Sequence, residues 1–541
     1  MLAARSSTGC WTCRLRKKKC QEERPTCSTC DSLRIICHGY SEKPTWMDGG
    51  SSERAESERI KRVIKENKKR KREIASLTVA KNGPESTPIT GSSITDTESS
   101  DASRKPACVG CSLSFMINNY HGREASLLMH YLDIVFPLQF RFYRPLASEG
   151  GRGWLLSILL QTKPLYHAAL SLSAYHQSAT SSESGSKISD NILVDLQKHH
   201  CLALVGLRQH IDRLRLEIGL GRTKTKVEIL ACMIFFISFE VLKGDSNNWQ
   251  THLKAARTIF IGLKDNFLLP LNTLNAVLEM GDSPTSDSDA LSLDEELALE
   301  FFSTALIWFD GISSVTIGAN PEYSDVYPSI LRIDNGKIQL CKLMGSQNWV
   351  MIAIMDIALL GEWKVAREDL GDLSQFQLAR RAACIEDQIE RGIQDNRARQ
   401  TGDNSDPCGL RARESQHVTH IFACAAKVYL YVTQSGAYPK ISEIRDSVSA
   451  ALKAFRELPD GRWIRHLVWP FCIVSCMADE EQEDEFRQIA ALANLDRGIF
   501  CNFQNASSIM EECWRLRKNQ PCSPWSWAAA MSSLGVKTLL V

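Results

Sequence analysis

The sequence predicts two folded parts of unequal size: a small metal-stapled domain of two short helices and, beyond a disordered linker, a large all-α domain. Three observations carry that expectation. Cysteines fall at Cys10, Cys13, Cys20, Cys27, Cys30 and Cys37 in a duplicated spacing. Residues 82–106, "NGPESTPITGSSITDTESSDASRKP", are rich in Ser, Thr, Pro and Gly and almost lack large apolar side chains, the composition of a tether. From about residue 122 to 541, apolar residues recur at three- and four-residue intervals and period-two runs are scarce. A chain of 541 residues also exceeds what one hydrophobic core organises.

Each cysteine half, "CWTCRLRKKKC" and "CSTCDSLRIIC", reads C-x2-C-x6-C, and the connector "QEERPT" carries Pro25, which suits a turn. Such a half sets two thiols about one helical turn apart and returns a third after a short segment. Three thiols leave a tetrahedral zinc one ligand short. Two closed zinc sites need eight ligand positions, and six thiolates supply them only if two sulfurs bridge both metals, unless a residue such as His38 completes a site. By the repeat symmetry the bridges are Cys10 and Cys27. One ion then takes Cys10, Cys13, Cys20 and Cys27, and the other takes Cys27, Cys30, Cys37 and Cys10. So few residues hold no sizeable core, so folding must draw on the metal, at about 10–16 kcal/mol per structural zinc.

The net charge of +1 conceals a division, because residues 1–74 carry +9 and the remainder −8. A basic head on a mildly acidic body suggests a polyanionic partner for the head. Arg14, Arg16, Lys17, Lys18 and Lys19 crowd the first half, whereas "DSLRII" in the second holds one base and one acid. Cations that merely offset the charge of the metal cluster would populate both halves. The first half is therefore the better candidate for the face that meets the polyanion.

The segment "GCWTCRLRKKKC…RPTCSTC" resembles the fungal binuclear zinc-cluster domain of transcription regulators. That resemblance implies two Zn²⁺ ions, nuclear localisation and sequence-specific double-stranded DNA binding that regulates RNA polymerase II transcription. It further implies that the end of the first helix enters the major groove at a CGG-like triplet. By position, Arg16 and Lys17 approach bases, and Arg14 and Lys19 contact phosphates. Fragments such as "LLMHYLDIVFPLQFRFYRP", "NWQTHLKAARTIF" and "HLVWPFCIVSC" resemble the fungal-specific transcription factor domain. The resemblance implies a regulatory body that meets the transcription machinery or a small-molecule effector, and control of a metabolic or secondary-metabolite pathway.

The domains expected are the zinc cluster at 6–42, a basic linker at 43–80, a disordered linker at 81–110 and the helical body at 111–541. In the basic linker, a helix from about Ser57 to Leu77 places Ile60, Val63, Asn67, Arg70, Ile74 and Leu77 on one seam, as a homodimerising helix would. The competing reading is a solvated basic linker whose "KKRKR" at 68–72 serves nuclear import. Cys108 and Cys111 form a further C-x2-C without a partner pair nearby.

In the body, "REASLLMHYLDIVFPLQF" sets Leu127, Leu128, Tyr131, Leu132 and Val135 on one face and should stop at Pro137. Helices are also expected over 190–215, 294–312 and 416–432, with a surface loop at 281–290. The apolar stretch at 229–239 is too short to span a bilayer and reads as a buried helix, and the opening residues lack the apolar segment of a secretory signal. No membrane partner is expected. Nor is an enzyme, since no phosphate loop, G-x-G-x-x-G or G-x-S-x-G motif occurs, and "GLGRTK" lacks phosphate-loop spacing. His199 and His200 diverge on a helix and read as core or surface residues. The acidic run "DEEQEDE" at 479–485 reads as a helix cap or solvated loop, with an activation segment as the alternative.

Overall fold

The structure, a computed structural model, describes residues 8–61 and 64 apart from 24, 25, 34, 41, 42 and 45. It further describes residues 122–541 apart from 146–149, 184–189, 217–221, 245–247, 269–290, 319–324, 334, 399–406, 494–500 and 521–522. The basic run at 68–72, the linker at 82–106, Cys108 with Cys111 and the loop at 281–290 lie outside these residues. The chain divides into two compact units, Met1–Ala107 and Cys108–Val541.

The first unit holds α1 (Trp11–Leu15), α2 (Ser28–Asp31) and α3 (51–61). Its apolar cluster contains five of the six cysteines with Leu15, Ile35 and Ile60, and Cys37, Leu33, Tyr40, Trp46 and Ile64 pack around it. So small a core leaves the sulfurs as its main contents.

The second unit begins with α4 (Gly122–His130), α5 (Phe136–Gln139), α6 (Gly153–Gln161), α7 (Lys163–Glu183) and α8 (Asp190–Leu216). Next come α9 (Arg222–Lys243), α10 (Trp249–Ile261), α11 (Asp265–Leu268), α12 (Leu293–Ile317), α13 (Val326–Leu331), α14 (Asn348–Asp369) and α15 (Gln375–Ala398). The last are α16 (Pro407–Ser435), α17 (Ser442–Arg456), α18 (Val468–Cys476), α19 (Glu483–Ala493), α20 (Cys501–Asn519) and α21 (Trp527–Leu534). Among the described residues there is no strand. The expected helices over 190–215, 294–312 and 416–432 correspond to α8, α12 and α16.

Each long helix takes its place from its pattern. α9 is apolar all round and buried from Ile229 to Glu240, so it lies inside the unit, and no helix among the described residues is long and apolar enough to cross a membrane. α12 begins at a reciprocal cap, in which Ser292 Oγ accepts from Glu295 N–H and the Glu295 carboxylate accepts from Ser292 N–H. It ends at Gly318, whose φ of 68° only glycine adopts freely. Phe301 on α12 collects Phe136, Phe140, Tyr143 and Trp154 at ring distances of 4.8–5.6 Å, anchoring the start of the unit.

The helix that begins at Gly122 does not stop at Pro137. A π-helical turn over Tyr131–Val135 lets Phe136 N–H donate to Tyr131 O, and Pro137 then falls in the first turn of α5. A missing N–H is harmless there, which is why proline failed as a stop. The acidic run is a helix start: Asp479 Oδ1 accepts from the N–H groups of Glu481 and Gln482, Glu483 pairs with Lys518 at 2.8 Å, and Glu485 pairs with Arg456. His199 is buried with Nδ1 3.0 Å from His167 Nδ1, and His200 packs its ring 4.6 Å from that of Phe239.

One charge lies deep in the second unit. Asp310 is fully buried and accepts from the Arg257 guanidinium and from Tyr327 Oη at 2.8 Å. Removing one partner of such a pair strands the other, at about 3–5 kcal/mol, whereas an exposed pair contributes about 0–1 kcal/mol. Asp310→Ala should therefore shift the denaturant midpoint of the full chain strongly. Glu485→Ala, which breaks the exposed pair with Arg456, should move it little; equal shifts would contradict this ranking.

Candidate metal centre

The two short helices set the site. Cys10 and Cys13 occupy the N-cap and the first turn of α1, and Cys27 and Cys30 hold the same places on α2. Three-residue spacing on a helical turn turns both sulfurs of a pair to one side. After each helix the chain reverses through the same bond: Lys18 N–H donates to Cys13 O at 3.0 Å and Ile35 N–H to Cys30 O at 3.1 Å. With Lys17 N–H on Arg14 O at 3.1 Å, the first reversal is a Schellman cap, and Lys17 sits in its left-handed position at φ 55°. A lysine there costs about 1 kcal/mol relative to glycine.

These reversals bring all six sulfurs together. Cys10, Cys13, Cys20 and Cys27 form one group whose ligand atoms lie within 4.8 Å of one another, and Cys10, Cys27, Cys30 and Cys37 form a second. Both groups contain Cys10 and Cys27. Sulfur separations of 3.6 Å for Cys10–Cys27, 3.7 Å for Cys13–Cys27 and 3.8 Å for Cys10–Cys30 match the edge of a zinc–sulfur tetrahedron, about 3.8 Å for bonds of about 2.3 Å. His38 belongs to neither group. Its Nδ1 lies 2.9 Å from Thr12 Oγ1 and its Nε2 3.8 Å from Glu56, while the Thr12 hydroxyl donates to Ile36 O. These bonds, with Trp11 N–H on Gly39 O at 3.0 Å, close the end of the repeat onto its beginning.

The electrostatics call for a cation. Burial pushes the Cys10 and Cys30 thiols well up and Cys13 up to about 11, because a sulfur removed from water resists charge. Cys20 goes the other way: burial opposes its ionisation, but the Tyr40 hydroxyl and the N–H groups of Cys10 and Glu22 bring it down to about 6. Burial also opposes ionisation of Cys37, and backbone N–H donors at Cys27 and Gly39 lower it despite that. Thiolates compete with protons for metal, so loading releases protons and affinity falls as pH falls.

Of the five predicted DNA-facing cations, Arg14, Lys17, Lys18 and Lys19 are exposed. Arg14 lies over the Trp11 ring at 4.1 Å, which orients its guanidinium. Arg16 is half-buried, with Nη1 sealed from solvent and lacking a hydrogen-bond partner among the described residues. Thr29 Oγ1 donates to Lys19 O at 3.3 Å, tying the basic stretch to α2.

Sequence reasoning missed the part played by α3. The helix begins at residue 51, not near Ser57, because Asp48 Oδ1 accepts from the N–H groups of Gly50 and Glu53 while the Glu53 carboxylate accepts from Gly49 N–H. Asp48 followed by Glu53 was the available signal. Ile60, the first residue of the expected dimer seam, is 3% exposed and packs inside this unit's own cluster, with Ile64 beside it. It therefore presents nothing to a partner helix; Val63, Asn67, Arg70, Ile74 and Leu77 lie outside the described residues.

Comparison with known proteins gives two family matches. Residues 8–47 match the fungal Zn(2)-Cys(6) binuclear cluster domain, and residues 126–541 match the fungal specific transcription factor domain. The pestheic acid cluster transcriptional regulator 3 of Pestalotiopsis fici is 31% identical over 97% of this chain and 96% of its own length. A trichothecene biosynthesis transcription regulator of Trichoderma arundinaceum is 32% identical over 77% of this chain and 98% of its own. The ustiloxin B cluster transcription factor of Aspergillus flavus is 27% identical over the whole of both chains. No solved structure matches.

Gly9 packs closely on Cys20, since a Cβ there would meet Cys20 Cβ at 2.9 Å. Gly9→Ala should push Cys20 aside and weaken zinc retention roughly tenfold, the effect of about 1.4 kcal/mol of overpacking. Competition with a chromophoric chelator reads this directly, and unchanged retention would show that the approach is not limiting.

Proposed function

The chain belongs to the fungal transcription regulators that join a Zn(2)-Cys(6) binuclear cluster to a fungal-specific transcription factor domain, and from that premise we propose that its cluster reads DNA. It is a zinc-binding transcription regulator, not an enzyme. The observation that carries the reading is the pair of sulfur groups sharing Cys10 and Cys27 beside an exposed run of cations. Cys10, Cys13, Cys20 and Cys27 would hold one zinc ion and Cys10, Cys27, Cys30 and Cys37 a second, with Cys10 and Cys27 serving both. When bound, the zinc neutralises buried thiolates and holds the two halves in register. Four positive charges against six negative would leave the cluster at −2, which the five cations from Arg14 to Lys19 exceed, so net positive charge remains to meet phosphate.

Arg16 and Lys17 at the end of α1 approach guanine O6 and N7 in the major groove of a CGG-type half-site, where each good contact discriminates by about 1–3 kcal/mol. Arg14 and Lys19 contact phosphates and Lys18 adds to the field; such contacts supply affinity without sequence. The protein acts in the nucleus on RNA polymerase II promoters, and its helical body is regulatory and meets the transcription machinery. The relatives' names, which refer to biosynthesis of pestheic acid, trichothecenes and ustiloxin B, favour control of a secondary-metabolite gene cluster.

Elemental analysis of the full chain should return two zinc ions, and one ion per folded chain would overturn the bridged arrangement. Chelation should abolish binding to CGG-containing duplexes. Lys17→Ala should relax base preference, while Lys19→Ala should weaken binding to all sequences alike and lower the salt slope by about one. Identical behaviour of the two variants would refute the division of roles.

A further inference from the structure

A cavity of about 610 Å³ opens between α15, α16 and α17 in the second unit, lined in part by Arg397, Arg413 and Lys453 with His417 and His420. Among the described residues, Glu457 is the one carboxylate lining it. Its volume falls in the range of small-molecule sites, about 300–1,000 Å³. Three permanent cations around one concavity repel one another, and one acid does not neutralise them.

Two lining side chains hold buried polar atoms without partners among the described residues. Asn396 also lines the cavity and is 4% exposed; its Nδ2 donates to Gln416 O at 2.9 Å, which settles the orientation of the amide. The end left over, Oδ1, is buried without a hydrogen-bond partner among the described residues. His420 is similar: Nε2 lies 3.8 Å from Cys424 Sγ, and Nδ1 is buried and unpartnered among the described residues. Burial, then the charges of Arg397 and His417, disfavours its protonated form. By contrast, His417 Nε2 is engaged with Ala454 O at 2.9 Å. Buried polar atoms without partners are costly, and here they coincide with a positive charge that the described lining does not balance.

We propose that this cavity is a binding site for a small polyanion that also carries a hydroxyl group. Arg397, Arg413 and Lys453 take the anionic groups, Arg397 and Arg413 in the forked geometry that suits carboxylate or phosphate. The ligand hydroxyl donates to Asn396 Oδ1. Phosphorylated alcohols and hydroxy-polycarboxylates share this chemistry. The inference gives a chemical class to the effector expected of the regulatory body. It is independent of the DNA reading, because the cavity lies wholly within the second unit.

The probes are citrate, tricarballylate (the same tricarboxylate without the hydroxyl) and inorganic phosphate, titrated into the zinc-loaded full chain at constant ionic strength and followed by calorimetry. Citrate should bind saturably and about tenfold more tightly than tricarballylate, the worth of one good hydrogen bond. Arg413→Gln should weaken citrate about tenfold or more, and Asn396→Ala should abolish the preference for citrate while leaving tricarballylate unchanged. Thermal unfolding without ligand checks that both variants remain folded. Failure of all three probes to bind, or binding unchanged by Arg413→Gln and by Lys453→Gln, would overturn the site. Saturable binding with no preference for citrate would overturn the assigned role of Asn396. DNA binding measured on the same samples separates either result from failure of the DNA-binding reading.

Discussion

Six sulfurs gathered into two groups, each within 4.8 Å, cannot all be negative without a cation among them, and the N-terminal unit depends on that constraint. Burial raises the inner thiols, and backbone N–H groups lower the outer Cys20 and Cys37. The site is thus partly prepared for charge at its edge and unable to sustain it at its centre. The six cysteines would hold zinc as thiolates, the metal supplying the positive charge that lets buried sulfurs give up their protons. The short helices, their matching reversals and the Thr12–His38 closure are what bring the sulfurs to the metal.

The same constraint explains the placement of the cations. A chain that reverses directly after α1 exposes Lys17, Lys18 and Lys19 in succession, and the reversal requires one residue in the left-handed region. That residue is Lys17 rather than the glycine that local energetics prefer, so a cation stands where the backbone would favour none. Arg14, held over Trp11, is fixed from the other side of the turn. Strain and charge coincide at the end of the helix that, in the reading offered above, approaches the bases.

The second unit is governed by ordinary packing. α9 and α18 are largely buried, and the enclosed carboxylate of Asp310 is answered by Arg257, Tyr327 and Ser313. The cavity between α15, α16 and α17 departs from this rule. Three cations line it against one carboxylate among the described residues, and two of its side chains hold buried polar atoms without a partner there.

The duplicated cysteine spacing, the one-sided cations and the helical periodicity were legible because each follows from residue type at short range. A C-x2-C pair on a helical turn has few other uses, and a three-to-four apolar rhythm specifies a helix wherever it buries. What could not be read depended on which distant groups meet. Pro137 was expected to end a helix, but a π-helical turn upstream moved its missing N–H to a harmless position. The sequence places Ile60 on a dimer seam, but it is buried in the cysteine-lined cluster of its own unit. The convergence of Arg397, Arg413 and Lys453 from three helices was invisible for the same reason. Sequence determined the ligands, the helices and the charge of this protein, since those are properties of neighbours along the chain. Tertiary structure alone decided which helix face was already occupied and which cations were left facing a cavity, since those depend on packing between residues far apart in sequence.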